Sequence, residues 1–472
     1  MPVQRIVVVG AGVAGLTAAY DLARAAPPRT EVVVLEGSSR IGGKLLVAPV
    51  AGVTLDVGAE AALARVPDVL DLLAELGLAD EVVYPATTAA SIAVAGRRHP
   101  VPAGTLLGIP ADLPALRTSG LLSADGWAAV AADPERPGPP VTDDVSVGQL
   151  VRSRLGAELL DRLVEPLLGG VYAGRADRLS VQATMPALWS QLGSTGSLVE
   201  AARAARVVAP AQDGPVFATL PGGLGRLPGV LAATAGVSVR TGLPARTITR
   251  TADGFRIVAG PVPDPTVLDC VAVVVAVPPG KAAGLLRGLA PAAASELAGI
   301  ETASMAVVTL AVPVQEFPAG SGLLVGSGPD APAGAVKAVT LSSQKWAHLG
   351  GGDLVFVRAS IGRRGEEAVL QREDGDLVAL ARTELRELIG LTGVPVDTRV
   401  TRWGGGLPQY DVGHVARVER IRAAVSSIPG LAVCGAAYDG VGIAACVRSA
   451  RHAAHVIRVN GPAQMRGQWR HD

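Results

Sequence analysis

The sequence predicts an α/β fold, α+β overall, and three observations support this prediction. Residues 1–36 have the pattern of a strand, a tight glycine turn, a helix and a second strand, with strands at Arg5 to Val9 and Glu31 to Leu35. From Gly96 to Val208 the chain is rich in proline turns and helical spacing, which indicates an inserted, mostly helical domain. Residues 428–472 return to a strand, a glycine turn and a helix that begins at Ile443.

Composition excludes several classes of function. The 472 residues include 42 Lys plus Arg and 42 Asp plus Glu, so no net charge attracts the chain to nucleic acid or anionic lipid. Three scattered cysteines are too few for a disulfide framework or a zinc site, and we expect no metal. No apolar run reaches the roughly 20 residues that a membrane helix needs. We therefore expect a cytoplasmic protein without a transmembrane segment, and peripheral contact with the inner face of the membrane stays open.

A glycine motif lies between the first strand and the first helix. Its spacing, G-x-G-x-x-G, lets the backbone turn sharply, brings a pyrophosphate to the helix N-terminus and permits close packing of helix on strand. The residues of this loop that we expect to bind the cofactor are Gly10, Gly12, Val13, Ala14 and Gly15. Glu36 ends the second strand about 20 residues later, where a carboxylate accepts hydrogen bonds from an adenosine ribose. Together these residues predict a Rossmann-like dinucleotide-binding domain.

Two further segments favour FAD over NAD as that dinucleotide. The paired glycines within Arg40 to Lys44 let the chain run close to the cofactor, and either basic residue can offset phosphate charge. The strand-to-helix junction at Cys434 to Ile443 would aim backbone N–H groups at the flavin, which stabilises the negative charge of the reduced form. Besides the glycine loop and Glu36, the candidate contacts to a non-covalent FAD are Gly37, Arg40, Gly42, Gly43, Lys44, Gly58, Ala59, Glu60, Gly435, Gly442 and Ile443.

Several motifs together resemble the amine-oxidase-like FAD superfamily and, within it, the protoporphyrinogen and coproporphyrinogen oxidases. They follow one another along nearly the whole chain: His99 to Pro102, Gly108 to Pro110, Leu163 to Gly174 with Leu179-Ser180, Ser342 to Trp346, Leu407 to Tyr410 with Gly413-His414, and Gly440 to Ile443. The resemblance also implies cofactor contacts at Ala245 and Trp403. It implies a porphyrinogen held over the flavin between a sheet-rich substrate domain and the helical block.

The resemblance implies a reaction that needs little acid–base machinery. A methylene-bridge hydrogen leaves as hydride to the flavin, dioxygen reoxidises the flavin to give hydrogen peroxide, and three such rounds make the aromatic porphyrin. Positioning and flavin electronics then supply most of the rate, and no side chain is expected to be a certain catalytic residue. His99 and His414 are accordingly expected to be structural residues in their turns.

For the substrate, the resemblance implies that Gly170 approaches the macrocycle and that Leu324 covers one face, with Arg65 and Tyr172 as further candidates. Each of these residues also has a purely structural interpretation. Gly170 is then a turn glycine, Leu324 is a core residue, and Tyr172 is a packing residue. Substrate carboxylates need basic partners. The candidates by location are Arg65, Arg97, Arg98, Arg175 and Lys345, each of which is otherwise a solvated surface charge.

Two departures from the pattern point to the substrate. Glu60 stands where relatives carry an arginine, and Ser321 stands where an aromatic residue often covers the substrate. A roomier pocket of different charge suits coproporphyrinogen III with its four propionates. We expect oxidation of coproporphyrinogen III to coproporphyrin III in haem biosynthesis, and transient contact with a ferrochelatase. Alternatives are oxidation of protoporphyrinogen IX, a flavin amine oxidase or carotenoid desaturase, and a non-catalytic binding protein on the same scaffold.

The predicted domains are discontinuous in the chain. The FAD-binding domain takes residues 1–50, 222–290 and 428–460, and the substrate-binding domain takes residues 51–95, 208–221 and 291–427. The helical domain is predicted at 96–207, and residues 461–472 form a polar tail.

Overall fold

The structure is a computed structural model that describes residues 4–208, 214–461 and Trp469. The predicted tail at 461–472 lies mostly outside the described residues. The strands of the described residues are β1 Gln4–Val9, β2 Thr30–Leu35, β3 Val47–Val50, β4 Val53–Asp56, β5 Ala62–Leu63, β6 Ala90–Val94, β7 Arg97–Pro100, β8 Thr105–Leu106, β9 Ile109–Pro110, β10 Phe217–Ala218, β11 Ser238–Arg240, β12 Ala245–Arg250, β13 Phe255–Ala259, β14 Thr266–Cys270, β15 Ala272–Val275, β16 Thr302–Pro313, β17 Gly322–Val325, β18 Val336–Leu341, β19 Leu354–Ile361, β20 Asp397–Pro408 and β21 Leu431–Val433.

Helices surround and connect these strands. They are α1 Val13–Ala25, α2 Pro67–Glu75, α3 Leu113–Thr118, α4 Ala124–Ala132, α5 Val147–Leu155, α6 Ala157–Leu159, α7 Glu165–Tyr172, α8 Val181–Thr184, α9 Pro186–Leu192, α10 Leu198–Val208, α11 Leu227–Ala235, α12 Pro279–Leu286, α13 Pro291–Ala298, α14 Ser342–Lys345, α15 Asp374–Ile389, α16 His414–Ser426 and α17 Ile443–Asn460. A π-helical turn, Leu160–Val164, joins α6 to α7. This combination of helices and strands confirms the predicted α/β fold, α+β overall.

A parallel sheet of order β11-β2-β1-β15-β21 forms the first layer. Its strands are nearly continuous runs of Val, Ile and Leu because both faces are covered. Helices α1, α11 and α17 cover one face, and α12, α13 and the antiparallel sheet β12-β13-β14 cover the other. The strand order reverses at β1, between β2 and β15. In such sheets a ligand binds at this reversal, beyond the carboxyl ends of the strands.

A seven-stranded sheet of order β20-β16-β19-β18-β17-β6-β7 forms the second layer. One face packs on α15 and is fully buried, as the paired residues Leu323, Val339 and Ala359 illustrate. The other face carries Leu324, Ala338 and Ser360, which are also register partners and are only partly buried. Paired residues point to the same side of a sheet. We call this partly buried side the open face of the large sheet.

A helical block built from α3 to α10 packs beside the open face. Its core is a cluster of Leu and Val side chains that includes Ile92 of β6 and Tyr410, which follows β20. Helix α7 lies against β17 and β18. The block is therefore fixed to the large sheet at α7, the segment that carries the glycine pair Gly169-Gly170.

Some secondary structure differs from the prediction. Strand β7, Arg97–Pro100, lies in the range predicted as helical, and it was missed because a charged edge strand shows no apolar alternation. Helix α15 lies within the region from Ser304 to about Arg402 that was expected to be rich in strands, and α16 lies in a segment for which no helix was predicted. The segment of α15 does carry apolar residues at helical spacing, from Leu377 through Ala381 and Leu385 to Leu388, so that signal was overlooked. Within the described residues, no helix combines the length and apolarity that crossing a bilayer requires.

Candidate functional site

A cavity of about 380 Å³ lies at the reversal point of the parallel sheet. Its walls come from the glycine loop, the segment after β2, the carboxyl ends of β15 and β21, the end of β20 and the start of α17. The lining residues are Gly10, Gly12, Val13, Ala14, Glu36, Gly42, Gly43, Lys44, Leu45, Ala59, Ala276, Val277, Pro278, Pro279, Gly405, Leu407, Pro408, Cys434, Gly435, Ala436, Ala437, Val441, Ile443 and Cys446.

The three glycines of the loop are required for different reasons. Gly10 has a φ of +108°, and a Cβ there would lie 2.5 Å from the carbonyl oxygen of Ala276. A Cβ on Gly15 would lie 1.9 Å from the carbonyl oxygen of Gly10, so only glycine lets α1 approach β1 this closely. A Cβ on Gly12 would meet no protein atom within 4 Å, because Gly12 borders the cavity. The space beside Gly12 is where a pyrophosphate approaches in this motif.

Glu36 faces the cavity, and its carboxylate also binds the backbone of the glycine loop. Its carboxylate accepts hydrogen bonds from the backbone N–H groups of Ala11 at 2.9 Å and Ser38 at 2.8 Å. An ionised carboxylate has about four lone-pair positions, so each oxygen can still accept a hydroxyl donor from the cavity. The position fits the ribose contact predicted for Glu36.

The segment from Arg40 to Lys44 forms a second clamp on the loop. Gly42 donates a backbone hydrogen bond to the carbonyl of Ala11 at 2.7 Å and pairs with Gly12. The guanidinium of Arg40 bonds to the carbonyls of Ile41 and Gly43 and lies over the ring of Trp403, outside the cavity lining. Arg40 and Trp403 therefore brace the clamp.

Lys44 supplies the cation of the cavity. Glu36 and Lys44 are the charged residues among those that line it. The side chain of Lys44 is exposed to the cavity, and the surrounding protein lowers its pKa by desolvation. A cation that borders a cavity is a favourable place for an anionic part of a ligand. The charge arrangement fits a dinucleotide with a ribose at one end and a pyrophosphate or reduced flavin near Lys44.

Glu60 has a different role from the one expected, because its carboxylate lies outside the cavity lining. It forms ion pairs with Lys345 at 2.6 Å and with Arg358, and Arg358 also bonds to the carbonyl oxygen of Gly58 at 2.5 Å. Burial alone would raise the pKa of Glu60, but the two cations outweigh it and lower the pKa to about 2. Lys345 is thus engaged by Glu60, which it shares with Arg358.

The C-terminal junction is fixed by Tyr410. Its hydroxyl donates to the carbonyl of Ala436 at 2.6 Å and accepts from the N–H of Gly440 at 2.8 Å. Gly442 caps α17, whose first turn brings Ile443 to the cavity. The N-terminal end of α17, with its unpaired N–H groups, therefore lies at the cavity.

The two cysteine thiols of the cavity wall and the imidazole of His414 are held neutral. Burial raises the pKa of the Cys446 thiol to about 11 and that of Cys434 well above its usual value, and both thiols are free. His414 stacks on Tyr410 with ring centroids 3.9 Å apart, and burial lowers its pKa to about 4. Among the described residues, no group of three or more His, Cys, Asp or Glu could hold a metal ion.

The predicted cofactor residues divide into two sets. Those that line the cavity are Gly10, Gly12, Val13, Ala14, Glu36, Gly42, Gly43, Lys44, Ala59, Gly435 and Ile443. Those that support its wall or lie outside it are Gly15, Gly37, Arg40, Gly58, Glu60, Ala245, Trp403 and Gly442. For Gly58 the reason is steric, since a Cβ there would lie 2.2 Å from the carbonyl of Lys44.

Two stretches of the wall were not predicted. Ala276 to Pro279 follows β15, and Gly405 to Pro408 ends β20. The first could have been found, because the strand that ends at this proline pair is the neighbour of β1 at the reversal point. The second depends on the long-range pairing of β20 with β16, which no local pattern reveals.

The predicted substrate residues are only partly brought together. A Cβ on Gly170 would lie 3.5 Å from Leu324, so these two form one wall beside the open face. Tyr172 packs on Tyr410 with ring centroids 5.7 Å apart, and burial raises its pKa to about 12. Arg65 is exposed, and no described contact links it to Gly170 or Leu324.

The other predicted basic partners are exposed or already paired. Arg97 and Arg98 are exposed on the edge strand β7. Arg175 pairs with Glu366 and with Glu165. The basic residues named for substrate carboxylates therefore do not converge on the open face.

The glycine geometry generates a test. Gly12→Ala leaves the fold unstrained but places a methyl group where the pyrophosphate approaches, so we expect FAD affinity to fall roughly tenfold or more with the stability of the flavin-free protein unchanged. Gly15→Ala collides with the backbone, and we expect it to destabilise the flavin-free protein by about 1–3 kcal/mol. Flavin titration and thermal melts measure both effects.

Gly229 provides the control, because it is exposed in α11 and a Cβ there meets nothing. Gly229→Ala should bind FAD normally. Unchanged FAD affinity in Gly12→Ala would contradict the placement of the pyrophosphate.

The Glu60 ion pairs generate a second test. The pKa of Glu60 is lowered in the folded state from about 4.3 in the unfolded chain, so its stabilisation is present above that pH and is lost as pH falls toward 2. Glu60→Gln leaves two buried cations unpaired, and we expect the free energy of unfolding at pH 7 to fall by about 3–5 kcal/mol. Denaturant unfolding from pH 7 down to pH 3 measures it.

Glu296→Gln is the matched control, since Glu296 pairs with Arg417 and Arg420 near the surface. Its cost should stay below about 1 kcal/mol. Equal stabilities of wild type and Glu60→Gln at pH 7 would show that the buried ion pairs do not hold the two layers together.

Comparison with known proteins gives consistent results. The family model described as flavin containing amine oxidoreductase matches residues 13–458. The coproporphyrinogen III oxidase of Mycobacterium tuberculosis (strain ATCC 25618 / H37Rv) is 38% identical over 454 residues, with 94% of this chain and 95% of that protein covered. The coproporphyrinogen III oxidase of Bacillus subtilis (strain 168) is 30% identical over 456 residues, covering 94% and 96%.

A solved structure extends the similarity to three dimensions. The crystal structure of a candidate protoporphyrinogen oxidase from Exiguobacterium sp. 255-15 superposes with a TM-score of 0.84 at 32% identity, covering 97% of this chain and 99% of that one. Sequence, fold and the glycine-lined cavity agree. The chain belongs to the flavin containing amine oxidoreductase family.

Proposed function

We propose that this chain is an FAD-dependent oxidase that converts coproporphyrinogen III to coproporphyrin III with dioxygen and releases hydrogen peroxide, in haem biosynthesis. One observation supports this most: the end of β20 lines the cofactor cavity, and β20 belongs to the sheet whose open face lies beside α7. A flat substrate on the open face would thus reach the cofactor at one edge. The names of the relatives at 30–38% identity favour coproporphyrinogen III as that substrate.

We assign the FAD contacts to the residues that line the cavity. Gly12 leaves room for the pyrophosphate, Glu36 accepts from the ribose, and Lys44 offsets negative charge. The first turn of α17 presents backbone N–H groups, and Pro278 and Leu407 add apolar wall that excludes water. When bound, FAD supplies the acceptor for a hydride and the route by which dioxygen is reduced.

The residues of the chain act by position and by charge. Each round removes two electrons and two protons from the porphyrinogen and converts one dioxygen to one hydrogen peroxide, so three rounds balance the conversion to porphyrin. The neutral thiols of Cys434 and Cys446 and the neutral imidazole of His414 add no charge that would compete with this transfer. Dry, pre-arranged surroundings favour hydride transfer without a proton relay.

The Exiguobacterium structure favours one alternative, oxidation of protoporphyrinogen IX, on the same fold. We further propose a cytoplasmic location and direct transfer of product to a ferrochelatase. Peripheral contact with the inner face of the membrane fits the same pathway. These finer points rest on the resemblance of the sequence to the porphyrinogen oxidases.

Activity measurements test the proposal. The purified protein should be yellow, with flavin absorbance at about 450 nm. Its kcat/KM for coproporphyrinogen III should be roughly tenfold higher than its kcat/KM for protoporphyrinogen IX. Porphyrin fluorescence follows product, and a peroxidase-coupled assay should find three peroxides per porphyrin. A preference for protoporphyrinogen IX would replace the proposed substrate, and oxidation of polyamines without porphyrinogens would exclude both porphyrinogen reactions.

A flavin-free protein that binds ligands without turnover would indicate the non-catalytic alternative. Reconstitution with added FAD separates that outcome from simple loss of cofactor during purification. Activity that returns with FAD would retain the proposal.

A further inference from the structure

Lys337 is a buried cation without a partner. It lies in β18, only 3% of its surface is exposed, and its ammonium has no hydrogen-bond partner among the described residues. Burial and the nearby charge of Arg363 lower the pKa of Lys337 to about 7. A buried ammonium is costly unless something of opposite charge meets it. Its presence therefore needs an explanation in terms of a ligand or a charged neighbour.

A β-bulge takes Lys337 out of the alternation of its strand. Val336 pairs with Ile361 while Ala338 pairs with Ser360, so Lys337 is the extra residue between them. Bulges turn a side chain away from the direction that simple alternation would give it. Ala338 points to the open face, and its register partner Leu324 is the residue that Gly170 contacts.

Arg363 lies beside Lys337 in the loop that follows β19. Its side chain is partly buried, and burial lowers its pKa, while the charges of Glu366 and Glu165 act in the opposite direction. The Nε of Arg363 lies 3.8 Å from the position of a Cβ on Gly169. The neighbouring Arg364 donates a backbone hydrogen bond to the carbonyl of Ala173 at 2.8 Å, which ties this loop to the end of α7. The two cations therefore lie where α7 meets β18.

The carboxylates of this region are already engaged. Glu366 and Glu165 both pair with Arg175, and Glu165 also accepts from the N–H of Ala176 at 2.7 Å. Arg175 is therefore paired, whereas Lys337 has no hydrogen-bond partner and Arg363 has only the longer-range attraction of Glu366 and Glu165.

We propose that Lys337 and Arg363 bind a propionate carboxylate of the tetrapyrrole substrate at the part of the open face remote from the cofactor cavity. This inference rests on the proposed function, because it takes the open face as the substrate site. Strands β20 and β18 are three strand spacings apart, roughly 14 Å, a distance that a tetrapyrrole with an extended propionate spans. A guanidinium and an ammonium side by side suit one carboxylate, since each oxygen gains a charged donor.

Substitution separates binding from folding. Lys337→Met keeps the length of the side chain and removes the charge, and Arg363→Met does the same for the guanidinium. We expect the Kd for coproporphyrin III, measured by fluorescence, to rise roughly 10- to 100-fold in each variant. The Kd for its tetramethyl ester, which lacks the charged carboxylates, should stay within about threefold of wild type. Arg256→Met, at an exposed residue paired with Asp269, is the control and should change neither Kd.

Stability gives a second readout that a purely structural role would move differently. Because Lys337→Met removes an unpaired buried charge, its melting temperature should equal or exceed that of wild type. Equal Kd values for coproporphyrin III in wild type and both variants would overturn the inference, as would an equal loss of acid and ester binding. If the wild-type protein binds coproporphyrin III but oxidises no porphyrinogen, only the proposed function is overturned. Wild type that binds no porphyrin would overturn both.

Discussion

The position of the cofactor layer relative to the large sheet depends on the buried ion cluster of Glu60, Lys345 and Arg358. Its carboxylate comes from the segment that leaves the cavity wall at Ala59, and its cations come from α14 and β19 of the large sheet. Arg358 also holds the carbonyl of Gly58. Opposite charges in a buried place attract strongly when every partner is present, and the cost of losing one is correspondingly high. This ion cluster therefore links the two layers close to the site.

Near this ion cluster, the site consists mainly of closely packed backbone and fixed backbone dipoles, and few of its side chains change protonation near neutral pH. The cavity has one carboxylate, one cation and two protonated thiols, and the nearest imidazole is neutral in its stack with Tyr410. Hydride transfer requires close, dry and reproducible placement of two molecules, which rigid backbone provides. The glycines at tight contacts and the hydroxyl of Tyr410 bonded to two backbone groups supply that rigidity.

The sequence predicted the local parts of this architecture well, because strand, turn and helix signals lie next to one another in the chain. The loop Gly10 to Gly15, Glu36 and the start of α17 all lie where spacing placed them. Residues that gain their role through distant pairing could not be predicted in the same way. Lys337 appears in the sequence as an ordinary strand lysine, and only the register of β18 against β19 makes it a bulge residue beside Arg363. Glu60 was expected to contact the cofactor, but its carboxylate binds Lys345 and Arg358, which are about 300 residues away in the chain.

The parallel sheet also constrains how this chain is made on the ribosome. The glycine loop is synthesised early, yet its sheet needs β15 at Ala272–Val275 and β21 at Leu431–Val433, and its outer face needs α17. Pairings across such long separations form slowly, and apolar strand surface stays exposed until they do. A nascent chain with the complete glycine motif therefore has no closed cofactor fold until the polypeptide has passed α17. Factors that shield apolar surface during translation are expected to matter more for this chain than its local motifs suggest.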